Sequence, residues 1–277
     1  MSKVRKIFKT EKPIIGMIHF MPLLGYKGHH GLDKILEAAL RDLKALENGG
    51  ADGIMVENNY DIPHKIFVNS ETIVSMTYLA NEIIKRTKLP VGISVLWNDY
   101  KTALSLAKVC GGKFIRVPVF VDNVRTQYGD VFGNPEDVLN FRKRISAADI
   151  LLFTDIHVKH AKLLSEYSIQ ESAKKAIQRG SDGIIVTGKW TGDAPNLRDL
   201  ALVRKTIGDS PIFIGSGADL KNIKDLTDYA DGVIVGTSFK TGKNNIKNVN
   251  IRREVERIDK RKVIRFVREF RKAINKT

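Results

Sequence analysis

Short apolar runs recur along the chain at 13–19 (PIIGMIH), 51–58 (ADGIMVEN), 90–97 (PVGISVLW), 114–120 (FIRVPVF), 150–158 (ILLFTDIHV), 182–188 (DGIIVTG), 211–217 (PIFIGSG) and 232–239 (GVIVGTSF). They are rich in β-branched residues with little polar alternation, as strands buried on both faces of a parallel sheet require. Between them the apolar spacing becomes helical, as at Leu36, Leu40, Leu43 and Leu46, or at Ala103, Leu106, Ala107 and Cys110. Helix ends are marked by Asn48, Gly49 and Gly50, by Pro135 after Asn134, and by Gly180.

A repeated Asp-Gly entry into strands, ADGIMV at 51, SDGIIV at 181 and ADGVIV at 230, argues for one architecture throughout. Eight strand–helix units in 277 residues predict an α/β fold, a single (β/α)8 TIM barrel. A doubly wound open sheet is the alternative, but no G-x-G-x-x-G follows the first strand. The expected organisation is one domain over 1–277, with a basic N-terminal extension (1–12) and a basic C-terminal helix (about 255–275) packed as the eighth helix.

The formal net charge of +15 is concentrated at the ends: residues 1–12 carry +4 and residues 251–277 carry +7. No homeodomain, zinc-finger or RRM-type signature accompanies this charge, so a solvated face is expected rather than a specific nucleic-acid surface. The apolar stretch 13–25 is broken by Pro13, His19 and Pro22 and falls short of the ~20 residues of a membrane span, which leaves at most peripheral membrane contact. A single cysteine, Cys110, points to a reducing compartment, with the cytoplasm as the default.

In a barrel the chemistry gathers where strands end. Those ends carry His19, Glu57 with Asn58, Asn98 with Asp99, Arg116, Asp155 with His157, Thr187 with Gly188, Gly215-Ser216-Gly217 and Gly236-Thr237-Ser238. Asp155 and His157 lie two residues apart on one strand, so strand alternation predicts a shared face. Arg116, inside an apolar run, needs a counter-ion, for which Glu57 or Asp155 serves. The expected catalytic cluster is therefore Glu57, Arg116, Asp155, His157 and His19, working by acid/base chemistry. A purely structural ion-pair network is its alternative. Asn58, Asn98, Asp99, Lys159 and Thr187 are expected to contact substrate. The glycines and hydroxyls Gly188, Gly215, Ser216, Gly217, Gly236, Thr237 and Ser238 suit an anion cradle, because glycine lets backbone N–H groups approach a phosphate. The segment 121–134, holding Tyr128, Gly129, Asp130 and Gly133, is long enough for a lid. Asp155-x-His157 with Glu57 offers possible metal ligands, but no spacing matches a zinc motif, so no metal is expected and no cofactor is named.

The blocks IIGMIHFMPL (14–23), GGADGIMVENNYDIP (49–63), GISVLWND (92–99), FIRVPVF (114–120), DIHVKHA (155–161), TGKWTG (187–192), IGSG (214–217) and DGVIVGTSFK (231–240) together resemble the BtpA/SgcQ family over nearly the whole chain. The resemblance implies a TIM barrel and two kinds of function. Cyanobacterial members are associated with photosystem I biogenesis as peripheral thylakoid factors, while others resemble proteins of sugar or nucleoside metabolism. The first expectation is a hydrolase, lyase or isomerase acting on a phosphosugar, nucleoside or nucleotide. The second is a non-catalytic assembly factor. The expected partners are a small anionic substrate and further copies of the chain.

Overall fold

The described strands are β1 (Ile14–His19), β2 (Gly53–Glu57), β3 (Val91–Ser94), β4 (Phe114–Val117), β5 (Asn123–Thr126), β6 (Gly129–Phe132), β7 (Leu151–Ile156), β8 (Lys162–Leu163), β9 (Gly183–Val186), β10 (Ile212–Ile214) and β11 (Gly232–Val235). Eight of them, all but β5, β6 and β8, close into a parallel barrel; the computed structural model describes residues 2–242 and 256–275. Closure is made by β1, which sets His19 opposite Glu57 of β2 and Ile14 opposite Val233 of β11. The helices are α1 (Lys3–Phe8), α2 (Leu32–Gly49), α3 (Ser70–Ile84), α4 (Tyr100–Cys110), α5 (Pro135–Arg144), α6 (Ile169–Gln178), α7 (Leu197–Ile207), α8 (Ile223–Leu226) and α9 (Lys260–Ile274). Each of the eight predicted strands is present. The helix expected after the seventh shrinks to the single turn α8.

Strand alternation sorts the core into two parts. Ile15, Met17, Met55, Phe114, Phe153, Ile185, Phe213 and Ile234 fill the lumen, while Ile14, Ile18, Ile54, Val56, Ile93 and Ile115 pack outward among the residues of the helices. The lowest layer alternates large with small. Phe153 packs between Phe114 and Phe213 with tilted rings, their centroids 5.1 and 4.4 Å away. Space for these rings comes from glycine: a Cβ on Gly92 would lie 2.1 Å from the Phe114 ring, and one on Gly232 would lie 2.6 Å from Phe213.

This layer explains the Asp-Gly repeat. Each glycine faces the crowded lumen, and each aspartate accepts an N–H at the start of a neighbouring strand: Asp52 from Ile14 at 2.7 Å, Asp182 from Leu152 at 3.0 Å and Asp231 from Ile212 at 2.9 Å. An arginine pairs with each carboxylate, namely Arg271 with Asp52, Arg142 with Asp182 and Arg204 with Asp231. The repeat is thus a staple at the N-terminal face of the barrel, the face of stability.

The basic N-terminus is more than an extension. Ser2 caps α1 by accepting from Arg5 N–H, and α1 buries Val4 and Phe8 in the barrel floor. Phe8 meets Phe114 and Phe153 with centroids at 5.3 and 6.4 Å. The amphipathic α9 buries Val263, Phe266 and Phe270 beside α2, so its apolar stripe is already covered. Residues 121–134 form a hairpin, β5–β6, to which β8 adds as a third strand. Val124 and Val131 of that hairpin share a small core with Trp97, Val119 and Val158, which fixes it beside the barrel mouth.

Candidate functional site

Five neighbouring strands, β1, β2, β3, β4 and β7, place a layer of charged and polar side chains at the C-terminal end of the lumen. Arg116 of β4 grips Asp155 of β7 with two hydrogen bonds, Nε to Oδ1 at 2.8 Å and Nη2 to Oδ2 at 2.7 Å. Its Nη1 lies 3.6 Å from Glu57 of β2. Ser94 of β3 donates to Glu57 Oε2 at 2.8 Å, and His19 Nε2 of β1 stands 3.6 Å from Oε1. His19, Glu57, Ser94 and Arg116 therefore stand side by side in the register of β1 to β4, and Asp155 lies two residues beyond Phe153, the register partner of Arg116. Burial opposes the charge on Arg116, but Asp155 and Glu57 more than offset this and hold it protonated. His19 is different. Burial first, and then the charges of Lys240, Lys159 and Arg116, push its pKa well down, so it faces Glu57 as a neutral imidazole rather than as an ion-pair partner.

Two cavities open above this layer and share Glu57, Asn59, Arg116, Lys159 and Thr191. The first adds His19, Tyr60, Lys240, residues 215–219 and residues 234–238. Among the described residues, no backbone hydrogen bond engages the N–H groups of Gly217, Ala218, Thr237 or Ser238 in its wall. Among the described residues Lys159 forms no hydrogen bond or ion pair, whereas Lys240 donates to Tyr60 Oη at 2.6 Å and lies 5.0 Å from that ring's centroid. Burial, helped by Arg116, lowers the Lys159 pKa to about 8, against the pull of Glu57 and Asp155. The second cavity is lined by Ile62, His64, Leu96, Trp97, Pro118, Gln127, Tyr128, Val158, His160 and Trp190.

Several expected residues do other work. His157 does not share the face of Asp155, because β7 ends at Ile156 and His157 turns left-handed at φ 45°. Its N–H is held by Asp122 at 2.9 Å, its Nε2 lies 3.1 Å from Tyr167 O, and it lines a separate lateral cleft with Thr187, Gly188 and Asp193. Asp155 lies behind Arg116 and lines neither mouth cavity. Asn58 is a clamp: Leu96 N–H donates to it at 2.7 Å and it donates to Leu96 O at 3.2 Å. Asn98 binds both polar groups of Val119, and Asp99 caps α4 through Thr102 while also accepting from Val68 N–H. Gly188 donates its N–H to Ser216 Oγ, and a Cβ there would lie 2.5 Å from Asp193 O. Gly217, at φ 69°, would set a Cβ 2.0 Å from Ala194 N. Ser216 and Ser238 donate to Asp193 O and Ala218 O. Gly215, Gly236 and Thr237 do line the first cavity.

Asn59, Tyr60, Ser94 and Lys240 were not anticipated. Alternation alone selects Asn59, since Glu57 points inward and Asn58 outward, but Lys240 reaches the mouth only through the turn Thr237–Phe239 after β11. Among the described residues no group of three or more His, Cys, Asp or Glu side chains is placed to hold a metal ion.

Solved structures confirm the barrel. (S)-3-O-geranylgeranylglyceryl phosphate synthase from Thermoplasma acidophilum superposes with a TM-score of 0.58, covering 100% of both chains at 16% identity, a likeness of fold alone. Sequence relatives are nearer. An uncharacterised Pyrococcus furiosus protein, PF0860, is 40% identical across 85% of this chain and 90% of its own. The photosystem I biogenesis protein BtpA of Synechocystis is 39% identical across 84% of this chain and 82% of its own. The BtpA family model matches residues 10–271, and the chain belongs to the BtpA family.

Proposed function

We propose that the barrel mouth is the active site of an enzyme acting by acid/base chemistry on a phosphorylated small molecule of the phosphosugar, nucleoside or nucleotide class. One observation carries this reading: Glu57, His19, Arg116 and Lys159 converge on a single cavity whose far wall is the stretch 215–219 with 234–238. The N–H groups of Gly217, Ala218, Thr237 and Ser238, without backbone acceptors among the described residues and in one lining with Lys159 and Lys240, suit an oxyanion after the seventh and eighth barrel strands. Glu57, held by Ser94 and open to both cavities, is the acid/base. Asp155 orients Arg116, and Lys159 supplies positive charge to the substrate.

Titration with ribose 5-phosphate tests the cradle. Thr237→Glu sets a carboxylate in the wall and is expected to weaken binding at least tenfold with the fold kept. Unchanged affinity removes the anion from this wall.

A second reading, an assembly factor such as the name of the Synechocystis relative describes, draws on the exposed Lys260, Arg261, Arg265, Arg268 and Lys272 of α9. Surface contacts alone have no need of a buried carboxylate facing an untethered lysine, so the enzyme reading is preferred.

A further inference from the structure

The two mouth cavities differ in chemistry although they share one wall. The first is edged by lysine and loop N–H groups. The second, of about 440 Å³, falls within the ~300–1,000 Å³ of small-molecule sites and is walled by Trp97, Tyr128 and Trp190 from three different loops. Beyond the five residues it shares with the first cavity, its polar side chains besides the aromatic ones are His64, Gln127 and His160. His64 is 6% exposed, its ring meets Tyr128 edge-on at 5.3 Å, and among the described residues its Nδ1 has no hydrogen-bond partner. His160 Nε2 is taken up by Thr191 and Gln127 donates to Tyr128 Oη, which leaves the unmatched nitrogen of His64 as the distinctive polar feature of this compartment.

An unpaired buried ring nitrogen costs stability unless a ligand completes it. Burial keeps His64 neutral, with its pKa lowered to about 4, so the imidazole presents one donor and one acceptor. Aromatic walls with one hydrogen-bonding edge match a planar nitrogen heterocycle, which stacks through its faces and pairs through its rim.

Resting on the phosphate reading above, we propose that the second cavity seats the nucleobase of a nucleoside monophosphate, with the phosphate in the first cavity and the ribose over Glu57 and Lys159. The junction residues Glu57, Asn59, Arg116, Lys159 and Thr191 then face the sugar and its glycosidic bond. A simple sugar phosphate would leave the aromatic cavity unused.

Calorimetric titration of AMP, GMP, CMP and UMP beside ribose 5-phosphate separates the two claims. At least one nucleotide is expected to bind tenfold or more tightly than ribose 5-phosphate, as a stacked base allows. Trp190→Ala should erase that margin, His64→Phe should reduce it, and both should leave ribose 5-phosphate affinity within twofold. If ribose 5-phosphate binds as well as every nucleotide, the base site is wrong and the phosphate reading stands. If none of the five binds, both are wrong.

Discussion

Arg116 and Asp155 meet through two parallel hydrogen bonds, 2.8 and 2.7 Å, inside the barrel and out of reach of either mouth cavity except through the guanidinium itself. The pair is therefore the foundation of the site rather than its reacting group. Replacing Arg116 by Met would leave Asp155 and Glu57 buried without their cation, at a cost of about 3 to 5 kcal/mol. Urea unfolding measures this. Arg116→Lys should recover only part, because a point charge cannot reproduce the paired donors. Equal stability of Arg116→Met and the parent would show that the carboxylates do not depend on it.

The floor of the barrel offers a second prediction. Phe8 lies among Phe114, Phe153 and the space left by Gly53, so Phe8→Ala should cost about 3 to 5 kcal/mol. Phe67, 58% exposed, is the control, and its alanine variant should stay within about 0.5 kcal/mol of the parent. Similar effects for the two would mean that α1 does not plug the barrel.

Three histidines carry a pH signature. Burial lowers the pKa of His64 and His160 to about 4 and that of His19 well below its usual value. Because each unfolded imidazole binds a proton near pH 6.5 and the folded one does not, stability is intact above that pH and falls as pH drops toward 4. His64→Phe keeps the ring against Tyr128 and removes one titration. It should recover about 3 kcal/mol of the stability lost between pH 7 and pH 4, the difference cancelling contributions from the other groups. Parallel stability curves for the two proteins would place a normal pKa on His64.

Burial, with Arg116 nearby, lowers the pKa of Lys159 to about 8. Its ammonium is present below that pH and lost above it, while a phosphomonoester, with its second pKa near 6, keeps a constant charge. Ribose 5-phosphate affinity should therefore fall as pH rises from 7 to 9. Lys159→Met should bind weakly and with a flat profile. A flat profile in the parent would separate Lys159 from the anion.

The barrel was legible because its signals are local. Strand runs, helix spacing and the Asp52, Asp182 and Asp231 repeat are each contained within a few residues. Glu57 and Arg116 were legible for a related reason, since a charge within an apolar run must be paired. His157 was misread because alternation stops where the strand stops, and a left-handed residue points its side chain elsewhere. Asn58, Asn98 and Asp99 are polar residues at strand ends, but their side chains are consumed by backbone groups that the loops leave unpaired. The aromatic cavity was invisible for the opposite reason. Trp97, Tyr128 and Trp190 lie in loops after β3, β5 and β9, and nothing local joins them. The single i, i+4 pair in α1, Val4 and Phe8, lies within a run of lysines and arginine that reads as solvated.

The direct test of the central claim is turnover. A phosphorylated compound that binds the mouth should be incubated with the parent, Glu57→Gln and His157→Ala proteins and followed by NMR for chemical change. The parent should convert it, and Glu57→Gln should be slower by about a hundredfold or more with its fold and binding kept. His157→Ala should keep the parent rate, since its side chain faces another cleft. Tight binding by the parent without any conversion, or conversion by Glu57→Gln at the parent rate, would contradict the account.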